Sequence, residues 1–149
     1  MTIAEQKAAQ RKAGIAARRA LSEADRTSAN AALCARIAGL DCFRTAQNIL
    51  LYAAFGGEAD LSALAGQAAA QGKTLAWPVC GEGFSLTAAV PEAKGYYDRY
   101  LPRCTRAVKV GVAFEAQRVE AAAVDAHDQR LDGFVTEGGL YFGTDTTEL

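Results

Sequence analysis

The run Asn48 to Ala54 constrains the fold more than any other stretch of the chain. Asn-Ile-Leu-Leu-Tyr-Ala-Ala is short, continuous and largely apolar, ends at Gly56-Gly57, and shows no polar alternation. A strand of that kind is buried on both faces, which is the condition of a parallel sheet covered by helices. The flanking segments agree. Residues 3–20 are rich in Ala, Arg, Lys and Gln and predict a first helix, with Gly14 its one weak point. Ser22 predicts the N-cap of a second helix, with Glu23 and Asp25 in its first turn, Leu33, Ile37 and Leu40 at helical spacing, and Gly39 at its exit. Asp60 predicts the N-cap of a third helix, Leu61 to Gln71, closed by Gly72.

Lys73 to Val79 then reads as a second strand. The order helix, helix, strand, helix, strand argues for an α/β domain with a largely parallel sheet behind an N-terminal helical pair. Further on, the pattern predicts a short helix from Tyr97 to about Arg103, a strand within Ala107 to Phe114, and a last strand at Leu131 to Val135 before a polar tail from Gly143. Residues 80–94 are too short for another strand–helix unit, since a parallel crossover takes about a dozen residues or more. They hold one candidate strand, Phe84 to Ala89. No internal repeat or low-complexity linker divides the 149 residues, so one domain is expected over 1–149, shortened around 80–94.

Composition narrows function by exclusion. A formal charge of −1 removes a global case for nucleic acid. No apolar run approaches the roughly 20 residues of a membrane span, and residues 1–21 lack the apolar core of a secretion signal. Cys34, Cys42, Cys80 and Cys104 form no CxxC pair, and the single His127 completes no zinc set with them. Reduced cysteines in a cytoplasmic protein are the expectation.

Three groups of residues can carry chemistry. Lys7, Arg11 and Arg18 fall along one helical stripe, which is either an anion platform or a solvated basic face. Lys94-Gly95-Tyr96-Tyr97-Asp98 joins a cation, a permissive backbone, two rings and a carboxylate. That suits a phosphate, a heterocycle and a hard cation, or equally a helix start with packed rings. Asp128, beside His127, is a second carboxylate for a metal or part of a solvated loop. Glu58 stands at the carboxyl end of the first strand, where open α/β sheets bind ligands, and can accept two hydrogen bonds from an aminopyrimidinone edge. Its alternative is a role at the start of the third helix. With one histidine, no nucleophile–base pair can be assembled.

Taken in order, these segments resemble the 5-formyltetrahydrofolate cyclo-ligase (5,10-methenyltetrahydrofolate synthetase) family. The similarity runs through Lys7-x-x-x-Arg11, Arg18-Arg19-Ala20-Leu21-Ser22, Tyr52 to Glu58, and Lys94 to Leu101. It continues through Val110-Gly111-Val112-Ala113-Phe114-Glu115-x-Gln117, His127-Asp128-x-x-Leu131-Asp132 and Val135-Thr136-Glu137. The resemblance implies a three-layer α/β sandwich with a central sheet and helices on both faces. It implies a monomeric enzyme that uses ATP and Mg²⁺ to convert 5-formyltetrahydrofolate to 5,10-methenyltetrahydrofolate. By match, Lys7, Arg11, Lys94, Gly95 and Tyr97 would bind ATP, and Glu58, Ala53 and Tyr96 the folate. Lys94 and Tyr96 would be catalytic, and Asp98 and Asp128 would hold the metal.

The chain departs from the family at one place. Members carry Arg-Leu-Gly-x-Gly-x before Gly-Tyr-Tyr-Asp, where this chain has Val90-Pro91-Glu92-Ala93. The shortage can be a natural shortening with loss of activity, an engineered deletion, or a loop missing from the sequence near 92–95. The last fits best, because losing a sheet strand should cost more than the net stability of about 5–15 kcal/mol. Two functions therefore stay open, a working cyclo-ligase and a shortened homologue that binds folate or nucleotide without turnover.

Overall fold

The computed structural model describes residues 1–77 and 106–142. The N-terminal pair forms as the caps require. Helix α1 (Ile3–Arg19) begins at Thr2, whose hydroxyl accepts from the Glu5 amide while the Glu5 carboxylate accepts from the Thr2 amide, a reciprocal capping box. Helix α2 (Glu23–Ala38) begins at Ser22, whose side chain accepts from the Asp25 amide. Gly39 ends α2 with a right-handed backbone, so its freedom at positive φ is not used there.

A short helix α3 (Asp41–Thr45), unexpected from the sequence because five residues show no periodicity, inserts the buried Phe43 into the core. Strand β1 (Asn48–Leu50) follows, then α4 (Ser62–Ala70) and β2 (Thr74–Ala76). Asp60 does contribute to the start of α4, accepting from the Ser62 amide, although Leu61 is the cap residue. Strands β1 and β2 are parallel, Ile49 opposite Leu75, and the pairing continues through the Leu51 amide to Ala76. This is the parallel strand–helix–strand unit expected from the apolar run, although β1 takes only its first three residues, Asn48 is exposed and Ile49 and Leu50 are only partly buried.

The C-terminal half gives β3 (Val110–Val112), a 3-10 turn at Glu115–Gln117, β4 (Gly133–Val135) and β5 (Leu140–Phe142). Strands β3 and β4 are parallel and β4 and β5 antiparallel. Gly111 leaves room for its neighbours, since a Cβ there would lie 2.8 Å from the end of the Leu131 side chain and 3.2 Å from Phe134 Cβ. Strand β5 corrects the expectation that Leu131 to Val135 is the last strand. The chain reverses at Gly138-Gly139 and pairs back, in a segment of three residues that is too short for alternation to reveal. The protein is α/β, but its described strands form one two-stranded and one three-stranded sheet rather than one sheet. The strand expected at Phe84 to Ala89, the helix after Tyr97 and the shortage near 92–95 lie outside the described residues.

The core is built around α2. Its buried residues Ala29, Leu33, Cys34 and Ile37 form one cluster with Leu64 and Ala68 of α4 and with Phe114 and Val135 of the C-terminal half. Burial pushes the Cys34 and Cys42 thiols above their ordinary range, and both are free. Leu33 is fully buried at the centre of this cluster. Leu33→Ala is expected to destabilise the fold by about 2–5 kcal/mol, the range for a leucine whose cavity cannot collapse. Urea unfolding measures it, and a loss below about 0.5 kcal/mol, the scale of surface substitutions, would refute this packing.

Candidate functional site

The carboxyl end of β1 opens into a cleft of about 510 Å³. Its walls include Tyr52, Ala53, the Phe55–Glu58 turn, Trp77 from beyond β2, and Arg26 and Asn30 from α2. The place follows from topology, because parallel strands deliver their loops to one edge of the sheet. Both folate residues expected from the sequence and described here, Ala53 and Glu58, stand in this wall. Tyr52 is fixed from behind, its hydroxyl donating 2.6 Å to the Ala59 carbonyl. Asn30 accepts from the Asp60 amide at 2.9 Å and so ties α2 to the start of α4. The Glu58 carboxylate accepts from the Phe55 amide at 3.3 Å, a long bond that among the described residues leaves most of its acceptor capacity free.

The charged part of the site lies on α1. Lys7 Nζ donates 2.8 Å to Asp125 and 2.6 Å to Asp128, each pair at least a quarter exposed. Gln10, nearly one turn on, donates to the Ala121 carbonyl and accepts from the Ala123 amide. These polar contacts hold a helix that contributes no buried residue of its own. Among the expected residues, Lys7 and Asp128 are therefore brought together. Arg18 instead donates to the Gly56 carbonyl at 3.1 Å, so two of the three cations of the basic stripe are engaged within the protein. Arg11 is exposed and makes no ion pair among the described residues. His127 is exposed, with its amide donating to Asp125. Lys94, Gly95, Tyr96, Tyr97 and Asp98 lie outside the described residues.

Of the two carboxylates expected to hold magnesium, Asp98 lies outside the described residues and Asp128 is engaged by Lys7. The described residues include no group of three or more His, Cys, Asp or Glu able to hold a metal. Both Asp128 oxygens accept from Lys7 Nζ, and one also accepts from the Asp125 amide. An ion at Asp128 would have to displace the ammonium.

The pairing has a pH signature. Hydrogen bonds from Lys7 first of all hold the Asp125 and Asp128 carboxyls below their ordinary 3.8. The same bonds, to Asp125 and then Asp128, hold Lys7 above its ordinary 10.5.

Sequence reasoning missed a second polar cluster. Glu115 accepts from the fully buried Thr136 hydroxyl, from Arg118 Nε at 2.6 Å and from the Tyr141 hydroxyl at 3.1 Å. Thr136 first, then Arg118, keep its carboxyl below the ordinary 4.5. Phe134 and Tyr141 stack across β4 and β5 at 4.7 Å, and Arg118 lies 5.0 Å from the Tyr141 ring. The signal was Glu115-x-Gln117 followed by Thr136-Glu137, two short segments whose meeting depends on the unforeseen β5.

No protein-family model and no curated protein matches the chain. Solved structures do. An NMR structure of 5,10-methenyltetrahydrofolate synthetase from Aquifex aeolicus aligns with a TM-score of 0.78 at 26% identity, over 96% of this chain and 95% of its own. The chain has the fold of the 5,10-methenyltetrahydrofolate synthetases. A synthetase of the same name from Mycoplasma pneumoniae aligns with a TM-score of 0.73 at 20% identity, over 88% of this chain and 98% of that one. The likeness read from Lys7 through Glu137 in the sequence is thus met by backbone geometry over most of the chain. No helix among the described residues is long and apolar enough to cross a membrane.

The depressed carboxyls contribute stability above pH 3.8, and it is lost as pH falls through their lowered values. The raised lysine contributes below pH 10.5, and that contribution is lost as pH rises through its own. The melting-temperature difference between the wild type and Lys7→Met should be small, because solvent screens the pair, and level from about pH 5 to 9. It should begin to shrink as pH falls below 3.8 and vanish only below the lowered values of the two carboxyls. A difference that grows toward acid would contradict the pairing.

Proposed function

We propose that the protein is an ATP-dependent 5-formyltetrahydrofolate cyclo-ligase. One observation carries the reading: the cleft at the carboxyl end of β1, with Ala53 and Glu58 in its wall, occurs in a chain with the synthetase fold. The Glu58 carboxylate suits the N–H edge of a reduced pterin, and Tyr52 and Trp77 offer it flat apolar faces. In this reading the two small sheets belong to the central sheet of a three-layer sandwich. Lys7, Arg11 and the Lys94–Tyr97 segment attend the phosphates.

The chemistry asks for activation of a poor leaving group. The formyl oxygen takes the terminal phosphoryl group of ATP and ADP departs. N10 then attacks the activated carbon and gives up its proton to solvent, and the oxygen leaves as phosphate. Positioning and neutralisation of charge would supply most of the rate. Asp98 and Asp128 are the residues that would hold magnesium, which would neutralise charge on the triphosphate; Asp128 is paired with Lys7 in the structure. The substrates are then two small molecules, taken by a monomer in the cytoplasm.

A second reading has its own support. The glycine-rich pattern that precedes Gly-Tyr-Tyr-Asp in the family is absent from this sequence, which favours a homologue that binds folate without turnover. Supplying 5-formyltetrahydrofolate, ATP and Mg²⁺ and following methenyl absorbance separates the two. The enzyme gives a rise that stops without ATP, whereas the binding protein gives only a higher melting temperature with folate. Glu58→Gln is expected to raise KM for the folate about tenfold with KM for ATP within about twofold, the scale of one hydrogen bond to a charged group. Equal effects on both constants would remove Glu58 from the folate site.

A further inference from the structure

Arg26 lies in the first turns of α2, yet its guanidinium joins three other segments. Nη1 donates to the Gly57 carbonyl. Nη2 donates 2.7 Å to the Arg18 carbonyl near the end of α1. Its Cζ lies 5.8 Å from the centre of the buried Phe114 ring, just beyond β3. With Arg18 donating to Gly56, two successive carbonyls of the turn each receive a guanidinium.

The turn needs that support. Gly56 and Gly57 have φ of 62° and 82°, a conformation open to glycine and strained for other residues. The turn's own bonds are long: the Glu58 amide to the Phe55 carbonyl and the Phe55 amide to the Glu58 carboxylate are both 3.3 Å. A Cβ on Gly57 would stand 2.9 Å from Arg26 Nη1, so a larger residue there would push the guanidinium aside.

We propose that Arg26 is a positioning residue for folate recognition, holding the Gly56–Gly57 turn so that Glu58 faces the cleft. The proposal rests on the reading of Glu58 as the pterin ligand, and Arg26 acts through it. Arginine suits the task because its planar fork donates in two directions and presents a flat face to a ring. The single ammonium of lysine cannot reproduce that geometry.

The test compares wild type, Arg26→Ala, Arg26→Lys, Glu58→Ala and the double variant Arg26→Ala/Glu58→Ala. Arg26→Ala is expected to raise KM for 5-formyltetrahydrofolate about tenfold, with KM for ATP and kcat within about twofold. Arg26→Lys should show a smaller rise of the same kind, and it replaces Arg26→Ala if that variant does not fold. In the Glu58→Ala background, Arg26→Ala should add nothing, because residues acting as a unit are not additive. A full additional rise there, or equal changes in both KM values, overturns the proposal.

Amide hydrogen exchange gives a readout without turnover. Exchange at 55–58 should accelerate in Arg26→Ala while Leu64 and Ala68 in α4 keep their protection. Unchanged exchange at the turn overturns the proposal whatever the kinetics show. Absence of turnover in the wild type overturns the cyclo-ligase reading alone, and the exchange result still decides Arg26.

Discussion

Burial of one face of α2 is the interaction on which the rest of the structure depends. The described strands form two separate sheets, and α2 packs on both α4, above the first sheet, and β4, in the second. Leu33, Leu64, Phe114 and Val135, all fully buried, come from four segments that meet along this face. Apolar burial is non-directional, so it brings the halves together without fixing their polar groups. Registration falls to hydrogen bonds at the edges of the core, such as Asn30 to Asp60 and Arg36 to the Glu137 carbonyl.

The division of labour continues into the candidate site. The cleft at the end of β1 rests on buried packing, since Leu51, Ala59 and Leu61 beneath it belong to the core. Helix α1 buries no residue fully among the described residues; it rests on the Glu115–Gln117 turn and is tied by Lys7, Gln10 and Arg18. Contacts of that kind are weaker and sensitive to charge, as exposed ion pairs generally are. The Lys7 ammonium, seated between two carboxylates, is the part of the site that a polyanion would compete for.

Much of this was legible in the sequence, where the local signal was strong. Ser22 capped its helix, Gly72 took positive φ after α4, and the apolar run from Asn48 paired in parallel with the segment after Lys73. The family resemblance named Ala53 and Glu58 for one ligand, and they stand in one wall; it gave Lys7 and Asp128 separate roles, and their ion pair was not foreseen. What could not be read were consequences of tertiary meeting. Strand β5 has three residues and no pattern, and the Glu115–Thr136–Tyr141 cluster exists only because that strand turns back. The partnership of Lys7 with Asp125 spans 118 residues and leaves no periodic trace. Arg26 is one more basic residue on a helix until Gly57 is placed beside it.

The proposed function has a reduced folate bound at the carboxyl end of β1. Titration with 5-formyltetrahydrofolate, followed by backbone amide exchange or chemical shifts, tests it most directly. Saturable protection or shifts concentrated at Ala53 to Glu58 and reaching Arg26 are the expected result. Saturable binding that leaves residues 53–58 unchanged, or no binding at all, would contradict it.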